Sequence, residues 1–132
     1  MLHSDITEKI IKSFYQVYNT LGYGFLEKVY ENALIIELKK LGFYISQQQN
    51  IRVYYNGQEV GDYYADIVVN DQVIIELKSA ESLREEHKAQ LINYLKATDK
   101  EVGLVLNFGK TPEFKRVIFT NDRKEIEHGL HG

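Results

Sequence analysis

Ile6, Ile10, Phe14, Val17 and Leu21 recur at intervals of three and four, with Lys9, Lys12 and Gln16 on other faces. This spacing predicts an amphipathic helix over 5–20. Ser4 or Asp5 is positioned to cap it, and Asp5 with Glu8 has capping-box spacing. Gly22 and Gly24 then break the pattern. A second helix is predicted from about 26 to 41, its buried stripe marked by Val29 or Tyr30, Leu34, Leu38 and Leu41. Lys39 and Lys40 suit its C-terminal dipole, and Gly42 ends it.

The period then changes. The β-branched and aromatic runs at 43–46 and 51–55 predict two strands. Asn56-Gly57 is a hairpin signal. Strands follow at 63–69 and 72–78 across an Asn70-Asp71 turn, and Val73-Ile74-Ile75 reads as a central strand covered on both faces. Helical spacing returns over 83–98, followed by a buried strand at 102–107 and a last strand at 115–120. The tail, from about 124 to Gly132, is expected to fray. The predicted order is α-α-β-β-β-β-α-β-β, an α/β mixed sheet flanked by helices, with the helix at 83–98 as the crossover to a parallel strand.

Length and composition narrow the class. The 132 residues fit one domain, and 44% hydrophobic with 27% charged residues is ordinary globular composition. No apolar run approaches the ~20 residues of a bilayer helix. The first residues show no secretory signal. With no Cys, disulfides and thiolate metal sites are excluded. A cytoplasmic location is expected. The net charge of −3 argues against binding nucleic acid through bulk electrostatics, but not against an enzyme whose acids cluster around metal ions.

Asp66 followed by Glu76-Leu77-Lys78 is the sharpest chemical feature. Residues two apart in a strand share a face, so Glu76 and Lys78 point together. Pairing of the strands around the Asn70-Asp71 turn would bring Asp66 beside them. Two carboxylates bind a hard cation such as Mg²⁺, and a neighbouring ammonium serves the attacking water or the charge growing on phosphorus. The competing interpretation is a cross-strand ion pair on a solvated face. Glu27 falls with Tyr30 and Leu34 on one helical face; alternatively it only complements the helix dipole. His87, Gln90 and Tyr94 share a face of the last long helix, either as a working cluster or as a polar flank. Lys110, Lys115, Arg116, Arg123 and Lys124 could track a phosphate backbone or simply solubilise the surface. Tyr63 and Tyr64 lie close enough to Asp66 for one to face it.

Together these residues resemble the GxxExxY proteins of the PD-(D/E)XK nuclease superfamily. Gly24-x-x-Glu27-x-x-Tyr30 carries the signature, supported by Ala65-Asp66, Glu76-Leu77-Lys78, the run from Gln90 to Lys96 and the run from Gly103 to Gly109. The resemblance implies a restriction-endonuclease-like core and a metal-dependent nuclease acting on DNA. It implies Asp66, Glu76 and Glu27 as metal-binding acids, the Leu77 backbone carbonyl as a further ligand, and Lys78 as the catalytic lysine. The ion would be Mg²⁺ or Mn²⁺. Gln90 and Tyr94 match the Q-x-x-x-Y motif of the RecB-like branch and, with Tyr30, would position substrate; Lys115 and Arg116 are candidate nucleic-acid contacts. A homodimer or a protein partner could supply further grip on substrate. The second reading is a non-catalytic nucleic-acid-binding or regulatory module that keeps the nuclease fold.

Overall fold

The structure, a computed structural model, describes residues 1–124. The first apolar stripe winds into α1 (Ser4–Leu21), burying Ile10, Phe14 and Val17. The predicted capping box does not form. His3 takes the cap position in a left-handed conformation, φ 55°, so Ser4 and Asp5 already lie inside the first turn. Gly22, at φ 73°, ends the helix in a conformation that favours glycine. Helix α2 (Glu27–Lys40) buries Tyr30, Glu31, Leu34, Ile35 and Leu38.

Strands β1 (Ile45–Tyr55) and β2 (Gln58–Val69) form one long antiparallel hairpin. Its turn residues Asn56 and Gly57 have φ of 50° and 76°, the paired positive values of a type I′ turn. The two strands predicted at 43–46 and 51–55 are therefore one. The intervening Gln47-Gln48-Gln49-Asn50 run lacks apolar alternation, which hides its strand character in the sequence. A second turn with positive φ, at Asn70 and Asp71, leads into β3 (Val73–Lys78). Helix α3 (Glu85–Lys96) crosses over to β4 (Val102–Phe108), which runs parallel to β3. Strand β5 (Pro112–Ile118) returns antiparallel, and a short α4 (Asn121–Lys124) follows. The last strand begins earlier than predicted, because proline is tolerated as the first residue of an edge strand.

The five strands stand in the order β1-β2-β3-β4-β5, a mixed sheet flanked by helices. Helices α1 and α2 cover one face: Phe14, Tyr30 and Leu34 pack with Ile75, Leu77, Leu106 and Phe108. Helix α3 covers the other, where Leu91, Tyr94 and Leu95 pack with Ile74, Val105 and Val117. Each such side chain contributes about 1.5–3 kcal/mol. Gly103 lets α3 approach closely, since a Cβ there would lie 2.8 Å from Leu91.

The hairpin changes face part-way. Ile45, Ile67 and Val69 join the cluster beneath α1 and α2, whereas Ile51 and Ala65 join the one beneath α3. All are odd-numbered, so strict alternation would keep them together. The register is continuous across the change, Gln47 opposite Ile67 and Gln49 opposite Ala65. The residue between them, Gln48, has φ 53°. A positive φ at a non-glycine residue inside a strand is sterically costly, and it falls beside Asp66. No helix of the described residues is long and apolar enough to cross a membrane. The C-terminal tail expected to fray lies, from residue 125 on, outside the described residues.

Candidate active site

The ladder between β2 and β3 pairs Ile67–Val69 with Val73–Ile75 and goes no further. Beyond it, side chains take over the bonding. The Asp66 amide donates to Glu76 Oε2 at 2.8 Å, and the Leu77 amide donates to Asp66 Oδ2 at 2.8 Å. Glu76 is buried, and Asp66 partly so. Burial pushes the Glu76 carboxyl up to about 8, and the charge of Asp66 pushes the same way. The Asp66 amide and Lys78 oppose this without reversing it. Burial also raises Asp66, reinforced by the charges of Glu31 and Glu27 and opposed by the Leu77 amide and Gln48. Lys78 shares the face of Glu76, and among the described residues its ammonium forms no ion pair.

Two acids of α2 approach from the helical side. Glu27 Oε2 accepts from the Ser79 amide at 3.2 Å and from Ser79 Oγ at 3.3 Å. Glu31, one turn further on, is buried. It accepts from Gln47 Nε2 at 2.5 Å, from Gln48 Nε2 at 3.2 Å and from Lys28 Nζ at 3.2 Å. The same Gln48 amide reaches Asp66 Oδ1 at 3.4 Å, so the left-handed residue of β1 bridges the helix acid to the strand acid. Sequence reasoning missed Glu31, Gln47 and Gln48. The available signal was that Glu31 lies four residues from Glu27 and in step with Ile35 and Leu38, an acid within a buried stripe.

On the other side, Gln90 Nε2 donates to the Tyr94 hydroxyl at 3.1 Å. Burial, then the charge of Glu76, pushes the Tyr94 phenol up to about 12. The ring of Tyr63 stands 5.7 Å from that of Tyr94, so Tyr63 is the tyrosine turned toward this group. Behind Lys78, the fully buried Asn107 clamps Ala80: its Oδ1 accepts from the Ala80 amide at 2.8 Å and its Nδ2 donates to the Ala80 carbonyl at 2.9 Å.

A family model described as the PD-(D/E)XK nuclease superfamily matches residues 4–117. The chain belongs to that superfamily. The solved structure of SSO0001 has the same fold, with a TM-score of 0.55 at 20% identity over 96% of this chain and 63% of that one. The present chain thus spans less than two thirds of that protein's length. No curated protein matches the sequence.

Nucleases of the PD-(D/E)XK superfamily generally use divalent metals, and the donor set here fits one in part. Asp66 and Glu76 present hard carboxylate oxygens in a poorly solvated setting where their mutual repulsion is relieved by a proton. A divalent cation would relieve it more completely. Among the described residues, however, no three Asp, Glu or His side chains are grouped closely enough to hold an ion. The expected triad of Glu27, Asp66 and Glu76 is present as a pair, with Glu27 turned to Ser79.

Two other expectations change. Tyr30 is fully buried, stacked on Phe108 at 4.2 Å, so it does not touch substrate. Its hydroxyl donates to the Gly22 carbonyl at 2.5 Å and accepts from the Phe25 amide at 3.2 Å, holding the loop that delivers Glu27. The C-terminal basic residues do not form a stripe. Lys115 and Arg116 are neighbours on β5 and project to opposite faces. The Arg116 guanidinium bonds the Leu2 carbonyl, Arg123 lies 4.3 Å over the Phe119 ring, and the Lys124 ammonium is buried against the Thr98 and Lys100 carbonyls. Lys110 is different: with Tyr23 and Ser79 it lines a depression of about 270 Å³ on the Glu27 side of the carboxylates.

Proposed function

We propose that the protein is a divalent-metal-dependent nuclease that hydrolyses phosphodiester bonds, with DNA as its substrate. The observation that carries this reading is the pair of Asp66, partly buried, and Glu76, buried, each carboxylate oriented by a backbone amide, with Lys78 on the same face as Glu76. Asp66 and Glu76 would hold the ion with the Leu77 carbonyl, and Glu27 would complete its surroundings. When bound, a divalent ion polarises the scissile phosphoryl oxygen and lowers the pKa of an attacking water.

The other roles belong to the chain itself. Lys78, free of a carboxylate partner among the described residues, orients the water and takes or stabilises charge as the bond to phosphorus forms. Glu31 and Gln48 hold Asp66 in place. Lys110 offers a donor to the substrate backbone on one side, and Gln90 and Tyr94 position the strand on the other. The Gly24, Glu27 and Tyr30 pattern supports assignment to the GxxExxY proteins, and Gln90 with Tyr94 supports the RecB-like branch.

The test is a cleavage assay with linear duplex DNA, circular single-stranded DNA and RNA in Mg²⁺, Mn²⁺ or EDTA. Lys78→Ala protein, prepared identically, is the control for contamination. Metal-dependent cleavage lost in the variant is the expected result. Folded protein that binds Mn²⁺ and cleaves no substrate would instead assign a binding or regulatory module.

A further inference from the structure

Between the outer part of the β1–β2 hairpin and α3 lies a groove of about 420 Å³, lined by Val53 and Tyr63 on one wall and by Gln90, Asn93, Tyr94 and Ala97 on the other. Its volume falls in the ~300–1,000 Å³ range of pockets that take small organic groups. Three features narrow the occupant. First, the groove offers aromatic surface: Tyr63 is 46% exposed, and its ring is tilted 41° to that of Tyr94. Second, of the four charged or amide side chains that line it, Glu86 pairs with Arg84 and Lys96 lies over the Phe119 ring, while Gln90 and Asn93 are neutral carboxamides, each both donor and acceptor and so able to pair with the edge of any base. Third, it lies near the carboxylates: Tyr94, which bonds Gln90, packs in one cluster with Ala65, the residue before Asp66, and feels the charge of Glu76.

We infer that this groove receives an unpaired nucleobase adjacent to the scissile phosphate, making the protein selective for a single strand over a closed duplex. A ring face, two amide edges and proximity to the carboxylates suit a base whose faces and pairing edge are free. In a duplex the faces are covered by stacking and the edge is used in pairing. Neutral amides and tyrosines read a base without demanding a particular one, so the selectivity is for strandedness rather than sequence. This inference rests on the nuclease reading for its substrate, but the groove is testable without turnover.

The experiment measures binding by fluorescence anisotropy in Ca²⁺. The probes are a labelled 12-nucleotide single-stranded oligodeoxynucleotide, the same sequence as a blunt duplex, and single strands carrying one abasic position. The proteins are wild type, Tyr63→Ala, Tyr63→Phe and Ala89→Trp, the last filling the groove from a position that lines it. Thermal melts check that each is folded. Wild type is expected to prefer the single strand. Tyr63→Ala should weaken that binding about 5- to 100-fold, the worth of a stacked base, and Tyr63→Phe should restore it. Ala89→Trp should weaken it too. One abasic position should weaken binding to wild type but add nothing to the loss in Tyr63→Ala. Equal affinity for duplex, no binding to any strand, or wild-type binding by both Tyr63→Ala and Ala89→Trp would overturn the inference. Groove-dependent binding without cleavage in Mn²⁺ would leave the groove standing and defeat the nuclease reading. Cleavage without groove dependence would do the reverse.

Discussion

The backbone amide of Asp66 lies 2.8 Å from Glu76 Oε2, just beyond the last pair of the β2–β3 ladder. With the Leu77 amide held by Asp66 at 2.8 Å, the two acids are oriented by main chain rather than by flexible side chains. The site begins where the β2–β3 ladder stops, at Ile67 and Ile75, and there the Asp66 and Leu77 amides hold the carboxylates.

Stability should fall as pH rises. The folded Glu76 carboxyl sits at about 8, against an ordinary value near 4.5, so between these limits the native state binds a proton that the unfolded chain has released. The contribution is full below about pH 4.5 and is lost as pH climbs through 8. Its size is on the order of 3–5 kcal/mol. Asp66, also raised, acts in the same direction. Urea denaturation without divalent ions should show the decline. Glu76→Gln, which keeps an oxygen for the Asp66 amide, should flatten it and exceed wild-type stability at pH 8.5.

Metal uptake should release a proton. At pH 7 Glu76 is mostly protonated, and a ligand carboxylate must ionise. Calorimetric titration with Mn²⁺ in buffers of different ionisation enthalpy should therefore report release of about one proton at pH 7 and fewer above pH 8. Apparent affinity should rise roughly tenfold per pH unit below 8. Removing the ion with EDTA should lower the melting temperature of wild type and leave that of Asp66→Asn unchanged.

Lys78→Ala should lower cleavage about 10²- to 10⁴-fold, the usual worth of a positioned proton-transfer group. Since Lys78 has no ion pair among the described residues, the loss of stability should stay within about 1 kcal/mol by urea denaturation.

Glu31→Ala should destabilise by about 1–3 kcal/mol, because the Gln47 and Gln48 amides lose their buried, charged acceptor. It should also reduce cleavage by freeing Gln48 from the bridge to Asp66. Glu31→Gln should retain more of both, and paired denaturation and rate measurements would show whether it does.

Asn107→Ala leaves the Ala80 amide and carbonyl without their partner and should cost about 1–3 kcal/mol. Hydrogen exchange should quicken at Ala80, two residues beyond Lys78.

The sequence made the three long helices, the crossover and the Asp66–Glu76–Lys78 group legible, because each rests on local periodicity or a short turn; the four-residue α4 is too short to show a period. The continuous β1 was hidden by Gln47–Asn50, whose polar side chains carry no alternation of apolar character. Glu31 was hidden because an acid in a helix normally signals a solvated face; only the arrival of two glutamines from β1, sixteen and seventeen residues later, makes its burial tolerable. Tyr30 was read as a substrate contact from its motif, yet its ring completes the core against Phe108 and its hydroxyl ties the loop before α2. Lys115 and Arg116 read as a patch in one dimension but are separated by the pleat of an edge strand.

The left-handed Gln48 has a second effect, on the protein in company rather than alone. Strand β1 is an edge of the sheet, and Gln47-Gln48-Gln49-Asn50 is an amide-rich run of the kind that stacks into ladders between chains. A flush neighbouring strand needs an unbroken pleat. With φ 53° in the middle of the run, its backbone groups do not present a straight row, and the side chains of Gln47 and Gln48 are committed to Glu31. The distortion that aims an amide at Asp66 also blunts the border along which copies of this chain would otherwise aggregate.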